Sequence, residues 1–315
     1  MKIATYLPEK ITDNSHFDKL GWSADKIFAK TGIKQRHIAG KDEYALDMAE
    51  NACNRLLTEH DIDKTGIDYL VYCTQSPDTL IPNNSSILQE KLGLPKNMGS
   101  FDFNQGCSGF VYGLSIAKGL LLTGQSAKLL LVTTETYTKH IADDDRTNRT
   151  IFGDAAAATL LTVEDAEKIG DFVFGTDGKG ADNLCVKGLG VRKESDSGKT
   201  ENLYMNGPEI FTFTLREVPN AVNKILKKTG MTMEEIDHFV FHQANGFILE
   251  HLRKKIAIPK EKFHTYLENV GNTVSSTIPI ALGQLYGNDM IKKNQKIMLV
   301  AFGVGYSWAV TILYT

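Results

Sequence analysis

GIDYLVYCT (66–74) and EIDHFVFHQ (235–243) share one pattern: an Ile-Asp pair followed by a short apolar run with turn-forming or polar residues around it. Runs of this kind read as strands buried on both faces. Each follows a stretch with apolar residues at helical spacing, 44–60 in the first case and 210–228 in the second. The two Ile-Asp pairs stand 169 residues apart. A second pair of apolar runs, KLLLVTTE (128–135) and KIMLVAFG (296–303), is offset by 168. Each of these follows an apolar helix rich in small residues. A single matching pair of strands can be coincidence, but two pairs in step indicate an internal duplication. Alternating helix and strand signals favour an α/β fold whose sheets are covered on both faces. The halves are expected at 1–165 and 166–315, with the boundary near 163–172. The stretch 175–200, rich in Gly, Asp, Lys and Ser, is expected as exposed loop within the second half.

Composition bounds the function without naming it. The 315 residues, 42% hydrophobic and 23% charged, can bury a large core. A net charge of −3 argues against nucleic acid as a general partner. No apolar run reaches the roughly 18 residues of a membrane span, and MKIATYLPEK lacks the apolar core of a signal peptide, so a cytoplasmic setting without membrane association is expected. Four cysteines, Cys53, Cys73, Cys107 and Cys185, show no paired CxxC spacing and read as free thiols rather than a disulfide framework or a zinc site; no metal is expected.

Three residues far apart in sequence carry the chemical signal. Cys107 lies in NQGCSGF, between Gly106 and Gly109, where a strand end turns into a helix expected from about 108 to 122. A thiol at a helix N-terminus faces unpaired N–H groups, which favour the thiolate, and flanking glycines leave room for a substrate. A cysteine is also often a small buried hydrophobe, and Cys53 and Cys73 keep that reading. His242, in FHQAN, ends a strand at the place Cys73 holds in the first half, and its ring either enters a cleft or rests in the core. Asn272, in NVGNT, suits a turn or helix cap as well as chemistry. The turn FGVGYSW (302–308) could offer backbone N–H groups to an oxyanion, on the weak signal of a single GxG.

Together NQGCSGF, FHQAN, NVGNT and FGVGYSW, supported by TGIKQRHIA (31–39), RTIFGDAAAA (149–158) and MNGPEIF (205–211), resemble the motifs of β-ketoacyl-acyl-carrier-protein synthase III in the thiolase superfamily. The resemblance spans essentially the whole chain. It implies the five-layered αβαβα thiolase fold, a homodimer, and a decarboxylating condensation of an acyl thioester with malonyl-acyl-carrier protein. Cys107 would then be the acyl-accepting nucleophile. His242 and Asn272 would hold the donor thioester carbonyl while carbon dioxide leaves, and the backbone N–H groups of Cys107 and Val304 would form the oxyanion hole. Acyl carrier protein and a small acyl thioester are the implied partners, with no metal or organic cofactor; coenzyme A enters only as a substrate carrier.

The same resemblance points to substrate contacts at Arg146, Asn206, Gly207, Phe211 and Lys30, and to carrier-protein docking by Arg253, Lys254 and Lys255. It also exposes departures. Lys26 stands where the family commonly has a tryptophan that stacks on adenine, Lys30 replaces an arginine, and Phe247 another. Trp22 is near enough in sequence to substitute for the missing ring. Val304 replaces the middle glycine of a triple-glycine turn. Ile81 stands where a large aromatic often limits the acyl pocket from the partner subunit. Three rival readings remain at this stage: a relative that passes the acyl group to a hydroxyl or amine, a Cys-His-Asn hydrolase, and a carrier-binding subunit without catalysis.

Overall fold

The computed structural model describes residues 1–18, 20–189 and 202–315. Two five-stranded sheets form its centre. The first contains β1 (Lys2–Tyr6), β2 (Tyr69–Cys73), β3 (Gly99–Phe103), β4 (Lys128–Glu135) and β5 (Ala155–Thr162) in the order β1-β5-β4-β2-β3. The second contains β6 (Ile169–Thr176), β7 (His238–Phe241), β8 (Phe263–His264), β9 (Lys296–Gly303) and β10 (Ser307–Tyr314) in the order β6-β10-β9-β7-β8. The two orders are the same when each strand is matched to its counterpart in the other half. In both, the two buried central strands are parallel and the return strand is antiparallel: β2 runs parallel to β4 and β4 antiparallel to β5, as β7 does to β9 and β9 to β10. The sequence repeat is therefore a repeat of architecture.

Helices fill the three remaining layers. Between the sheets lie α4 (Gly109–Leu122) and α7 (Thr277–Gly287), which are apolar almost all round because they meet a sheet on either side. Small residues let them approach closely: a Cβ on Gly113 would stand 2.6 Å from a methyl of Leu131. On the outer face of the first sheet pack α2 (Ala45–Glu59) and α3 (Asn84–Leu92). The outer face of the second is covered by α5 (Gly207–Thr229) and α6 (Gly246–Ile256), with the short α1 (Ala24–Thr31) against α6. These helices are amphipathic, with the buried stripe of α5 running through Phe213, Val218, Val222 and Ile225. The result is the αβαβα sandwich.

The expected exposed loop at 175–200 is corrected in its described part. Gly175 and Thr176 complete β6, residues 178–183 form a 3₁₀ turn, and Leu184–Val186 pairs antiparallel with Leu203–Met205. Leu184 and Leu203 are buried beside Cys107, Tyr137 and Phe152, so two apolar side chains tether a segment whose composition reads as loop. Residues 190–200 lie outside the described residues. Among the described residues, no helix is long and apolar enough to cross a membrane.

Candidate active site

Each of the three polar residues is brought to one place by the end of a central element. Cys107 lies in the turn between β3 and α4, His242 follows the last residue of β7, and Asn272 precedes the 3₁₀ turn Val274–Ser276 that leads into α7. The Asn272 backbone ties the halves together: its N–H donates to Ile151 O at 2.9 Å, and its carbonyl accepts from the Gly153 N–H at 3.0 Å. Cys107, His242 and Asn272 all line one cavity of about 640 Å³, together with Phe302 and Gly303. All three are buried, at 6%, 2% and 4% exposure.

Two backbone groups act on the sulfur. The N–H groups of Cys107 itself and of Val304 face it and favour the thiolate. Burial outweighs them, and with the nearby Glu135 carboxylate it pushes the Cys107 thiol up to about 12. The lowered pKa expected from the helix N-terminus is thus not found in the resting cavity. Desolvation, invisible in a linear sequence, dominates. The approach of Val304 depends on its neighbour, since a Cβ on Gly303 would lie 2.5 Å from the Cys107 Cβ.

His242 stands with Nδ1 2.7 Å from Thr277 Oγ1 and its ring edge-on to Phe302. Burial lowers it to about 3, so the imidazole is neutral at ordinary pH. Asn272 Oδ1 accepts from the Val274 N–H at 2.9 Å. That bond fixes which end of the amide faces away, and leaves the NH₂ group as the donor available to the cavity.

The remaining expected residues divide into groups. Lys30, Asn206, Gly207 and Phe211 line the same cavity. Asn206 also caps α5, accepting from the Glu209 N–H at 3.4 Å. Lys30 is shared with an adjoining cleft of about 350 Å³ that contains Trp22, Lys26 and Arg146. Trp22 therefore does meet Arg146, but its ring is already engaged: Phe17 stacks on it with centroids 5.3 Å apart, and the Arg146 guanidinium lies 5.2 Å from the ring centre. Ile81 is 89% exposed and does not line its own chain's cavity. Of the three basic residues on α6, Arg253 is tied down by both oxygens of Glu250 and by Ile258 O, while Lys254 and Lys255 are exposed. Sequence reasoning missed Thr277 and the buried Glu135. The one available signal for Glu135 was a carboxylate ending a strand with a long apolar run. Among the described residues no disulfide forms, and no group of His, Cys, Asp and Glu side chains could hold a metal ion.

A duplicated αβαβα sandwich with a cysteine from one half facing a histidine and an asparagine from the other defines an acyl-transferring enzyme of the thiolase fold. Known proteins sharpen this. The family model "3-Oxoacyl-[acyl-carrier-protein (ACP)] synthase III" matches residues 101–178, and the corresponding C-terminal model matches residues 226–315. The β-ketoacyl-[acyl-carrier-protein] synthase III of Caldanaerobacter subterraneus subsp. tengcongensis is 35% identical, over 98% of this chain and 95% of its own. A crystal structure of a 3-oxoacyl-(acyl-carrier-protein) synthase III superimposes with a TM-score of 0.96 at 44% identity, covering 99% of this chain and 98% of that one. The Thermus thermophilus synthase III gives 0.93 at 33% identity, covering 100% and 98%. The chain belongs to the 3-oxoacyl-acyl-carrier-protein synthase III family.

Proposed function

We propose that this chain, as a cytosolic homodimer, condenses an acyl thioester with malonyl-acyl-carrier protein to give β-ketoacyl-acyl-carrier protein and carbon dioxide. One observation carries the reading: the buried Cys107 thiol shares a largely apolar cavity with two polar side chains from the opposite half, a neutral His242 and Asn272. In the first half-reaction the Cys107 sulfur attacks the acyl carbonyl, the Cys107 and Val304 N–H groups hold the oxyanion, and the donor leaves as a thiol carrying the proton that Cys107 gives up. The second begins with the malonyl thioester oxygen between His242 and Asn272. The bond to the carboxylate breaks, its electron pair becomes an enolate, and carbon dioxide departs. The enolate carbon then attacks the acyl carbonyl, the C–S bond breaks, and the Cys107 sulfur regains a proton. Preorganised neutral donors in a water-poor site stabilise the developing oxyanion more than mobile water does. So written, the chemistry calls on no metal or organic cofactor.

Exposed Lys254 and Lys255 suit an acidic carrier protein, on the helix that also brings Phe247 to the cavity rim. The edge strand β3, with Phe101 and Phe103 partly buried, and the exposed Leu80 and Ile81 suit a second copy of the chain. The test is direct. Incubation with a panel of acyl thioesters should add acyl mass to the Cys107 peptide, Cys107→Ala should abolish both that adduct and condensation, and acyl mass accumulating on another cysteine would sink the assignment.

A further inference from the structure

Glu135 ends β4 fully buried, in a strand whose other residues after the opening Lys128 are apolar or Thr. Its oxygens accept three hydrogen bonds from two separate segments. Oε2 takes the Gln75 N–H at 3.0 Å and the Ser76 hydroxyl at 3.0 Å, and Oε1 takes the Ser275 hydroxyl at 2.9 Å. Ser275 stands three residues beyond Asn272, and its neighbour Ser276 donates to Thr133 O at 3.0 Å. The end of β4 therefore grips the turn that carries Asn272 at two points. Toward the nucleophile, a Cβ on Gly106 would come within 2.4 Å of Gln75 Oε1, and one on Gly109 within 3.5 Å of the Ser275 Cβ. Gln75 and Ser275 thus lean on the residues either side of Cys107, and Glu135 holds both.

A buried carboxylate held by neutral donors is costly to keep, and an apolar side chain would cost folding less. We propose that Glu135 is a positioning residue for the decarboxylating half-reaction: through Ser275 its carboxylate fixes the turn from Asn272 to Thr277 against the Cys107 loop, so that Asn272 and His242 meet the donor carbonyl at a set distance from the acyl sulfur. The inference rests on the assignment of Asn272 and His242 to that half-reaction. The protonation state of Glu135 matters to the grip. Gln75 N–H can only donate, so a proton on Glu135 favours Oε1, where the Ser275 hydroxyl must turn from donor to acceptor and the charge-assisted bond becomes a weaker neutral one. Burial pushes the carboxyl up to about 7 against the pull of its three donors. The ionisable groups within its field are Cys73, Cys107, Tyr137 and Asp154. Of these, Asp154 is itself raised by burial to about 6, while burial pushes the two thiols and the phenol up and away from neutrality, so the grip should tighten as pH rises through about 7, with Asp154 contributing only on the acid side.

The experiment follows both half-reactions in the full-length protein from pH 5.5 to 8.5, a range of about three units around that value: acyl mass on Cys107, and carbon dioxide release from malonyl-acyl-carrier protein by the pre-acylated enzyme. Glu135→Gln should lower carbon dioxide release about tenfold, remove the limb near neutrality, and change acylation by less than about threefold. Ser275→Ala should give a similar loss, and the double variant should be no worse than Glu135→Gln alone, because the two residues act as one unit. Wild-type carbon dioxide release in Glu135→Gln would overturn the proposal, and so would equal losses in both half-reactions, which mark a purely structural role. Should Glu135→Gln fail to fold, Ser275→Ala decides: unchanged release overturns the proposal. Failure of the underlying assignment looks different, as an Asn272→Ala variant that still releases carbon dioxide at the full rate.

Discussion

One hydroxyl proton governs what His242 can do. Thr277 Oγ1 lies 2.7 Å from His242 Nδ1 and 3.0 Å from Val274 O, and it has a single hydrogen to give. Donated to Nδ1, it leaves the imidazole proton on Nε2, where the ring is a donor; donated to Val274 O, it leaves Nε2 bare. Stabilising an enolate needs the first arrangement, so Thr277→Val should slow carbon dioxide release by about tenfold, and His242→Ala by on the order of 10²-fold, with Cys107 still acylated in both. Because burial holds the ring near 3, carbon dioxide release should show no imidazole limb between about pH 5 and 8 once Glu135 is replaced by Gln; a residual limb near the ordinary value of about 6.5 that survives Asp154→Asn, which removes the buried carboxyl raised to about 6, would mean that His242 titrates. Trp22 makes a second argument at this scale. Phe17 and Arg146 both pack on its ring, so a base stacking there must compete with the guanidinium. Base stacking is worth roughly 1–3 kcal/mol, and its absence should leave acyl-carrier protein the better donor to Cys107. Lys26→Trp should raise kcat/KM for acyl-coenzyme A selectively. Equal use of both donors by the parent protein, combined with a large loss in Trp22→Ala, would show instead that the Trp22 stack opens for the nucleotide.

The elements that present these residues were legible to different degrees, for physical reasons. KLLLVTTE and KIMLVAFG coincide with β4 and β9 because a strand buried on both faces writes an unbroken apolar run into the sequence. GIDYLVYCT and EIDHFVFHQ narrow to Tyr69–Cys73 and His238–Phe241, with Asp68 and Asp237 at the mouth of the ladder, where their carboxylates accept from the N–H groups of Lys128 and Lys296 that open β4 and β9. Cys107, His242 and Asn272 could be read as candidates because each sits beside a strand end or turn. The hydrogen bonds among Glu135, Ser275 and Gln75 could not, since they join positions 60 and 140 residues apart. Nor could the raised thiol, which follows from the depth of burial. The hairpin from β9 to β10 offers a test of element geometry. Gly303 is needed where the strand passes Cys107, and Gly303→Ala would press a methyl to 2.5 Å from the Cys107 Cβ. Relieving it must shift either the strand or the Val304 N–H, so we expect a stability loss of about 1–3 kcal/mol and a fall in acylation on the order of 10²-fold. Normal acylation in this variant would remove the Val304 N–H from the oxyanion site.

At the scale of the molecule, the duplication creates a dependence between the halves. The middle layer is not divided between two cores: Leu114 and Leu121 of α4 and Leu282 and Leu285 of α7 share one buried cluster with Val71 and Leu131 of the first sheet and Leu299 and Leu313 of the second. Separating the halves would expose α4 along the face that meets β9 and β10, and an all-round apolar helix has no polar face to turn outward. The halves should therefore unfold together. Thermal or urea denaturation of the full chain should give one transition, coincident by far-ultraviolet circular dichroism and tryptophan fluorescence, even though the sequence repeats. Leu282→Ala, at a position with no exposure, should lower stability by about 2–5 kcal/mol and move that single transition without splitting it, although the substitution lies in the second half. Residues 1–165 expressed alone should bind a hydrophobic dye and lack cooperative unfolding. Two resolved transitions in the full chain, or a cooperatively folded fragment, would show that each sheet carries a self-sufficient core and that the shared layer is an interface between finished domains.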